Sequence, residues 1–277
     1  MKTAIRSRGW LQILLLLLLV APRLPFAAEV GGKPEKADVI VTYATPAAVA
    51  VMRATSVIPI VVAGVADPVG TGLVSSLARP GGNVTGLYTS SGDEQLYAKE
   101  LDFVREITRP NGRVAWFGTR ALWDAPGGEA ARKGAKRVGL ALELAAVTTP
   151  VNITAIEAAF AMVRKMKPDV LLVSPATELN PHYERIAAFA RAERLPSVGN
   201  NWLMTNAGIL LSYGAKYEEL YRRAAHYVDR ILRGAKPGDL PIEQPSLIEL
   251  TLNLQTANAL GIKLPQTILL RADRVIE

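Results

Sequence analysis

The sequence has no cysteine in its 277 residues and only two histidines, His182 and His226. The absence of cysteine excludes disulfide bonds, thiolate nucleophiles and Cys-ligated metals. The histidines lie far apart, without spaced carboxylates around either, so we expect no metal site. Neither a P-loop nor a Gly-x-Ser-x-Gly nucleophile elbow is present. We therefore expect a protein without catalytic residues, cofactor or enzymatic activity.

A dinucleotide-binding fingerprint is also incomplete. Gly70-Thr71-Gly72 follows an apolar run, but Ser75 stands where the third glycine of the fingerprint belongs. The glycine pair also falls inside a segment of helical length, which we expect to begin at Asp67-Pro68, rather than in the turn before it. This segment therefore predicts a strand, a turn and a helix, without a nucleotide site.

Acidic residues are absent from the first 28 positions, where the chain is basic and then strongly apolar. Leucine is unbroken from Leu14 to Leu19, and the apolar run is too short to span a bilayer, which takes about 20 residues. The pattern predicts a signal peptide over residues 1–28, a polar linker over 29–37 and a secreted or periplasmic protein. The residues that carry the pattern are Lys2, Arg6 and Arg8 in the basic head and Ala27-Ala28 at the end.

The formal net charge of +7 comes largely from this first segment. Removing Lys2, Arg6, Arg8 and Arg23 leaves a charge near +3. The remaining sequence has no basic stripe interleaved with aromatic residues, so we expect no nucleic-acid partner.

Apolar, β-branched runs alternate with helical patterns through the rest of the chain. This alternation predicts an α/β fold with a mostly parallel sheet and right-handed crossovers. Residues 120–139 are irregular because glycines fall where a clean helix would be expected. The predicted strands are 38–44, 58–64, 83–88, 113–118, 142–149, 169–175, 196–200 and 209–214, and the predicted helices are 46–55 (with Thr45 as N-cap), 94–107, 154–166, 181–194 and 217–233.

Ligands of open α/β sheets bind at the carboxyl ends of the strands. The turns that follow the predicted strands are small and polar, and several precede helix N-termini, which attract anions such as carboxylates. Each turn by itself is better explained as a helix cap than as a ligand contact. Together they favour a small polar ligand over a metal ion or a reactive nucleophile.

Two long segments of the sequence resemble one particular protein family. The run 45–86, which contains VADPVGTGLVSSLARPGGNVTG, and the run 209–277, which begins ILLSYGAKYEELYRRAAHYVDRILRGAKPGDLPIEQP, resemble ABC-transporter substrate-binding proteins related to tryptophan- and tyrosine-binding lipoproteins. The resemblance covers residues 38–277.

The resemblance implies a type I periplasmic-binding-protein fold, with two Rossmann-like lobes joined by a three-strand hinge. The expected N-terminal lobe comprises residues 38–109 and 240–277, and the expected C-terminal lobe residues 110–239. The family implies a monomer that binds a small-molecule solute in the interlobe cleft and delivers it to a cognate ABC permease. The ligand-binding residues it implies are Thr45, Pro46, Ala47, Asp67, Pro68, Asn83, Thr85 and Gly86 in the first lobe, and Ser174, Pro175, Ala176, Ser212, Tyr213 and Gly214 in the second.

Characterised relatives bind aromatic amino acids, so the resemblance implies an amino acid, aromatic or branched, as the solute. Asp67 is then expected to pair with the α-ammonium, and a helix N-terminus with the α-carboxylate. Aromatic side chains are candidates for stacking on a ligand ring, although each is equally consistent with core packing. These candidates are Tyr43, Tyr88, Trp123, Trp202 and Tyr213.

The sequence departs from the family at its N-terminal end. Relatives place two strands and two helices before the segment that matches Asp38, whereas only the linker stands there in this sequence. We therefore expect an incomplete N-terminal lobe. Two alternatives stay open: a degenerate, truncated member that no longer binds its ligand, and an exported Rossmann-like enzyme, which the missing catalytic groups disfavour.

Overall fold

The computed structural model describes residues 37–89, 94–244 and 247–277, together with the backbone of Leu14–Leu15. The predicted signal peptide and linker lie outside the described residues, with the exception of these two leucines and Ala37. The described chain forms two compact units. The chain passes between them three times, after Thr89, Glu219 and Gln244, which matches the three crossovers of the expected fold class.

The first unit, Met1–Thr89 with Leu220–Gln244, is built on a parallel four-stranded sheet in the order β1-β2-β3-β4. Every residue of β3 is buried, as expected for a parallel strand covered on both faces. Leu14–Leu15, which lie inside the predicted signal peptide, pair with β2 along its outer edge. The elements are β1 (Leu14–Leu15), β2 (Ile40–Thr42), α1 (Thr45–Ala54), β3 (Ile60–Val65) and β4 (Val84–Tyr88).

The second unit, Ser90–Glu219 with Pro245–Glu277, contains a seven-stranded sheet in the order β11-β10-β9-β8-β7-β5-β6. Strands β5 to β9 are mutually parallel, whereas β10 runs antiparallel to β9. The elements are α2 (Glu94–Glu106), β5 (Arg113–Thr119), α3 (Arg120–Asp124), α4 (Pro126–Arg137), β6 (Ala141–Val147), α5 (Ile153–Met166), β7 (Val170–Val173), α6 (Tyr183–Ala192), β8 (Ser197–Gly199), α7 (Trp202–Asn206), β9 (Leu211–Ala215), α8 (Tyr217–Leu232), β10 (Ile248–Asn253), α9 (Leu254–Leu260), α10 (Gln266–Leu269) and β11 (Arg274–Ile276).

The eight strands predicted from the sequence are confirmed as β2 to β9. Helix α8 begins at Tyr217 in the second unit and continues into the first, where its predicted apolar stripe is buried. The stripe residues are Leu220, Ala224, Tyr227, Val228 and Ile231.

The compact units differ from the expected lobes in two segments. Helix α2 belongs to the second unit, where it packs against α4: a Cβ on Gly134 would lie 2.8 Å from Cδ1 of Leu101. The C-terminal segment Pro245–Glu277 also belongs to the second unit, because β10 pairs with β9. The lobe boundaries expected after residues 109 and 239 therefore differ from the boundaries of the compact units, which fall after residues 89 and 244.

The prediction of a helix that begins at Asp67-Pro68 is wrong, because residues 67–82 form turns and bends. Asp67 has a positive φ of 41°, and its Oδ1 accepts a hydrogen bond from the backbone N–H of Gly70 at 2.8 Å. The hydroxyls of Ser75 and Ser76 likewise bond to the carbonyl of Arg79. These local side-chain bonds compete with helix formation. The segment still contributes Leu73 and Val74 to the core.

The irregular region at 120–139 resolves into α3 and α4, which its glycines allow to pack closely. A Cβ on Gly128 would lie 2.0 Å from the carbonyl oxygen of Trp123. Gly128 and Gly134 therefore act as contact points inside α4 rather than as helix breaks.

Candidate functional site

The carboxyl ends of β5 to β9 form one edge of the second sheet, because these five strands are parallel. Helices α3, α5, α7 and α8 begin after strands that end at this edge. Three of these helices are capped by the residue that precedes them. The side chains of Thr119, Asn152 and Asn201 accept hydrogen bonds from the backbone N–H groups of Leu122, Ala155 and Met204, respectively. The interpretation of these turns as helix caps is confirmed at Thr119 and Asn201, whereas the cap at Asn152 was not predicted.

Ser174 lies at this edge, directly after β7. It is 1% exposed, and its hydroxyl oxygen has no hydrogen-bond partner. A Cβ on Gly118 would lie 2.2 Å from that oxygen, so the glycine makes room for the hydroxyl. Pro175 follows, and the carbonyl of Ala176 accepts the N–H of Leu179 at the start of a 3-10 turn.

Ser212, Tyr213 and Gly214 lie within β9, and each contacts other residues of the second unit. The Ser212 hydroxyl bonds to the Thr205 hydroxyl at 2.6 Å. The Tyr213 ring lies 5.2 Å from the ring of Phe103. A Cβ on Gly214 would lie 1.7 Å from the carbonyl oxygen of Asn200, so this position requires glycine.

A charged cluster that the sequence reasoning missed lies beside β9. Glu249, in β10, pairs in register with Gly214 and is 3% exposed. Its Oε2 lies 3.7 Å from the guanidinium of Arg274, whose shorter ion pair, 2.5 Å, is with Glu218. The same guanidinium lies 4.9 Å from the centre of the Trp202 ring. The signal in the sequence was one acidic residue in an otherwise uncharged strand, IELTLN.

Oε1 of Glu249 and Nε1 of Trp202 are buried, and neither has a hydrogen-bond partner within residues 37–89, 94–244 and 247–277. Burial raises the pKa of the Glu249 carboxyl, because the charged form loses its hydration. The hydrogen bond from Arg274 lowers the pKa of Glu218. Glu218 is therefore a fixed anion, whereas the charge of Glu249 depends on what lies beside it.

In the first unit, the structure places Thr45, Pro46 and Ala47 at the start of α1, after β2. Thr45 was expected as the N-cap, but the N-cap is Ala44 and Thr45 is the first helical residue. The Thr45 hydroxyl instead accepts the N–H of Ala66 at 2.9 Å and joins the turns after β2 and β3.

Asp67 and Pro68 follow β3 at the same edge as the start of α1. Asp67 is exposed, and its carboxylate caps the Gly70 turn as described above. Pro68 is buried. Thr42, which the sequence reasoning missed, ends β2 and has a buried hydroxyl without a hydrogen-bond partner.

The structure does not bring Asn83, Thr85 and Gly86 to this edge. Asn83 precedes β4 at the opposite end of the sheet, and its amide donates to the carbonyls of Thr55 and Ile58. The Thr85 hydroxyl is buried within β4 and donates to the carbonyl of Leu240 at 2.8 Å. A Cβ on Gly86 would lie 2.2 Å from the carbonyl oxygen of Val62.

The aromatic side chains considered for ring stacking all have contacts within the chain. Tyr43 lies 6.4 Å from the Tyr221 ring, and the Tyr88 hydroxyl bonds to Gln244. Trp123 contacts the Trp116 ring at 4.8 Å. Trp202 and Tyr213 contact Arg274 and Phe103, as given above.

Within the described ranges, no group of three or more His, Asp or Glu side chains forms a metal-binding arrangement. The helices in the same part of the chain include none with the length and hydropathy needed to cross a membrane.

Comparison with known proteins places these observations in a family. A family model described as ABC transporter substrate binding protein matches residues 31–276. A tyrosine-binding protein of Clostridioides difficile (strain R20291) is 27% identical over 243 residues, which cover 87% of this chain and 68% of the relative.

Two solved structures have the same fold. A conserved domain protein of Vibrio cholerae is 28% identical, with a TM-score of 0.75, over 87% of this chain and 79% of its own. An ABC domain in complex with L-Trp from Streptococcus pneumonia is 25% identical, with the same TM-score of 0.75 and the same coverage of 87% and 79%. These matches confirm the α/β periplasmic-binding-protein fold predicted from the sequence.

Proposed function

Since the chain belongs to the ABC transporter substrate-binding protein family, we propose that it is the exported solute-binding component of an ABC import system. We propose further that its solute is an amino acid with an aromatic or branched side chain. The partner is a membrane permease, to which the monomeric protein delivers the solute. The names of two relatives support the choice of solute, since one is a tyrosine-binding protein and the other is a complex with L-Trp.

The observation that carries this proposal is a set of unpaired polar atoms at the carboxyl edge of the second unit. Ser174 Oγ, Trp202 Nε1 and Glu249 Oε1 are all buried, and none has a hydrogen-bond partner among the described residues. Buried polar groups in proteins are almost always hydrogen-bonded, so these atoms are candidates for bonding a solute. A small polar solute supplies a hydrogen-bond partner at the place where ligands of open α/β sheets bind.

In the second unit, the proposed solute contacts are Ser174, Pro175, Ala176 and Tyr213, beside Trp202 and Glu249. In the first unit, taken by itself, Thr45, Pro46, Ala47, Asp67 and Pro68 lie at the carboxyl ends of β2 and β3 and stay candidates. The expected residues Asn83, Thr85, Gly86, Ser212 and Gly214 serve instead to hold the strands and turns in place, because their polar groups are bonded within the chain or their Cα atoms admit no side chain.

Calorimetric titration of the purified protein with the common amino acids tests the proposal. We expect saturable binding of one or more aromatic or branched amino acids, together with a rise in the thermal unfolding temperature. No heat and no thermal shift with any of them would contradict the amino-acid proposal. A broad unfolding transition that no ligand shifts would support a degenerate family member instead.

A further inference from the structure

Glu249 is a buried carboxyl group, 3% exposed, and no described residue bonds its Oε1. Its Oε2 lies 3.7 Å from the guanidinium of Arg274, which makes its close contact with Glu218 instead. Burying a carboxylate without a partner is costly, so the group either holds a proton or meets a cation.

The contacts of this carboxyl place it at the carboxyl edge of the parallel strands. Arg274 joins it to Glu218 in the first turn of α8 and to Trp202, the first residue of α7. Both helices begin directly after strands that end at that edge. Because β10 runs antiparallel to β9, the amino-terminal part of β10, where Glu249 lies, reaches the same edge.

An ionised Glu249 and the charged groups around it include one more negative than positive charge. The charged groups that act on it are Arg274 and Lys216, which are positive, and Glu218 and Asp273, which are negative. Asp273 is also tied to the backbone, since its Oδ2 accepts the N–H of Leu250 at 2.8 Å. When Glu249 is ionised, three carboxylates therefore meet two cations. A positively charged ligand group beside Glu249 would compensate the third carboxylate.

The geometry favours an amino group over a metal ion as that cation. Calcium takes six to eight oxygen ligands and magnesium six, whereas Glu249 offers one unpaired oxygen. An ammonium group needs only one strong acceptor to form a short, charge-assisted hydrogen bond. The unpaired indole N–H of Trp202 beside the same guanidinium adds a donor for a carboxylate. An acceptor and a donor together suit a zwitterion.

We propose that Glu249 accepts the hydrogen bond of the solute's α-ammonium group, so that the site selects ligands with a free amine. This inference rests on the proposed function in amino-acid binding and deepens it. It assigns to Glu249 the role that the sequence had suggested for Asp67, whose carboxylate caps a turn.

The test compares two variants and two pairs of ligands by calorimetry. The ligands are L-tryptophan with indole-3-propionate, and L-tyrosine with 3-(4-hydroxyphenyl)propionate, so that each pair differs in the amine. Glu249→Gln removes the charge at nearly constant shape. Glu157→Gln is the matched control, because Glu157 forms an exposed ion pair with Arg185 on the outer surface of α5. Thermal unfolding of each variant checks that the fold is retained.

We expect Glu249→Gln to weaken binding of the amino acid about 10- to 100-fold, as for the loss of one charge-assisted hydrogen bond. Its effect on the amine-free analogue should be less than about threefold, and Glu157→Gln should change neither. Equal affinity of Glu249→Gln and the unmodified protein for the amino acids would overturn the assignment while leaving the proposed function intact.

The unmodified protein also decides the question by itself if Glu249→Gln does not fold. Amine-free analogues that bind as tightly as their amino acids would overturn the assignment, and analogues about 10-fold weaker or more would support it. Absence of binding by every amino acid and analogue would contradict the proposed function and this assignment together.

Discussion

The guanidinium of Arg274 lies 3.7 Å from the buried carboxyl of Glu249 and also contacts Glu218 and the ring of Trp202. One side chain on the last strand thereby ties together β10, α7 and α8 at the edge proposed to bind the solute. Among the described residues, Arg274 is the positive charge that forms an ion pair with Glu249.

Replacing Arg274 with alanine should destabilise the protein. The change removes the positive charge nearest to a buried carboxyl and leaves Glu218 and Glu249 uncompensated, which should lower the free energy of unfolding by about 1–3 kcal/mol. Chemical denaturation measures the change. Arg233→Ala is the control: its pair with Asp229 is exposed, so a loss below about 0.5 kcal/mol is expected. Equal losses for both variants would show that Arg274 acts only as a surface residue.

Glu100 should make the stability depend on pH. It is 3% exposed in α2, Oε1 has no partner, and burial raises its pKa well above the ordinary range of glutamate. Above the ordinary pKa the unfolded chain loses this proton while the folded chain keeps it, so folding stability falls as the pH rises toward the folded-state pKa.

Glu100→Gln should therefore be more stable relative to the unmodified protein at pH 7 than at pH 4. Denaturant melts across that interval measure the difference. Glu143→Gln, which alters an exposed strand residue paired with Arg113 over 3.5 Å, should follow the unmodified protein. If Glu100→Gln and Glu143→Gln show the same pH dependence, the carboxyl of Glu100 does not titrate as described.

Gly118→Ala should disturb the turn that carries Ser174. The added Cβ would lie 2.2 Å from the Ser174 hydroxyl oxygen and 2.7 Å from its Cβ, so the strand ends must move apart. A loss of about 1–3 kcal/mol in the free energy of unfolding is expected. Gly82→Ala is the control, since nothing lies within 4 Å of the Cβ position and its φ is not positive. A loss no greater than that of Gly82→Ala would contradict the close packing of Gly118 against Ser174.

Thr85→Val should reduce stability without affecting solute affinity. The hydroxyl of Thr85 is fully buried and donates to the carbonyl of Leu240 at 2.8 Å. Valine keeps the shape but leaves that carbonyl unpaired, at a cost of about 1–3 kcal/mol. Thermal unfolding and titration with L-tryptophan separate the two effects. Thr267→Val removes an exposed hydrogen bond to Glu106 and should have little effect on either. A change in affinity for Thr85→Val at unchanged stability would instead support Thr85 as a solute contact.

Strands β2 to β9 were predictable because each is a short, mostly apolar run between turn residues. Strands β10 and β11 were missed for a physical reason. Charged residues, Glu249 and Arg274, interrupt their apolar patterns, and these charges are accommodated by partners far away in the chain. The segment after Asp67 was predicted as a helix because its length and apolar spacing fit one, but local bonds from Asp67, Ser75 and Ser76 stabilise turns instead.

Of the candidate site, the sequence could predict only those residues that directly follow a parallel strand. The rule for carboxyl ends of parallel strands selected Ser174 and the start of α1, and the structure places both after strands at such an edge. It cannot select Glu249, which lies near the amino end of an antiparallel strand and reaches the edge through pairing with β9. Nor does it distinguish polar residues that are free from those already bonded. The partners that occupy Asn83 and Thr85 are carbonyls 25 to 155 residues away in the chain.

Calorimetric titration of the purified, unmodified protein with L-tryptophan and L-tyrosine tests the central claim most directly. Our account predicts saturable binding of at least one of them with a stoichiometry of about one per chain, accompanied by a higher unfolding temperature. Absence of heat and of any thermal shift with these two and with the branched amino acids, from a protein that unfolds cooperatively, would contradict it.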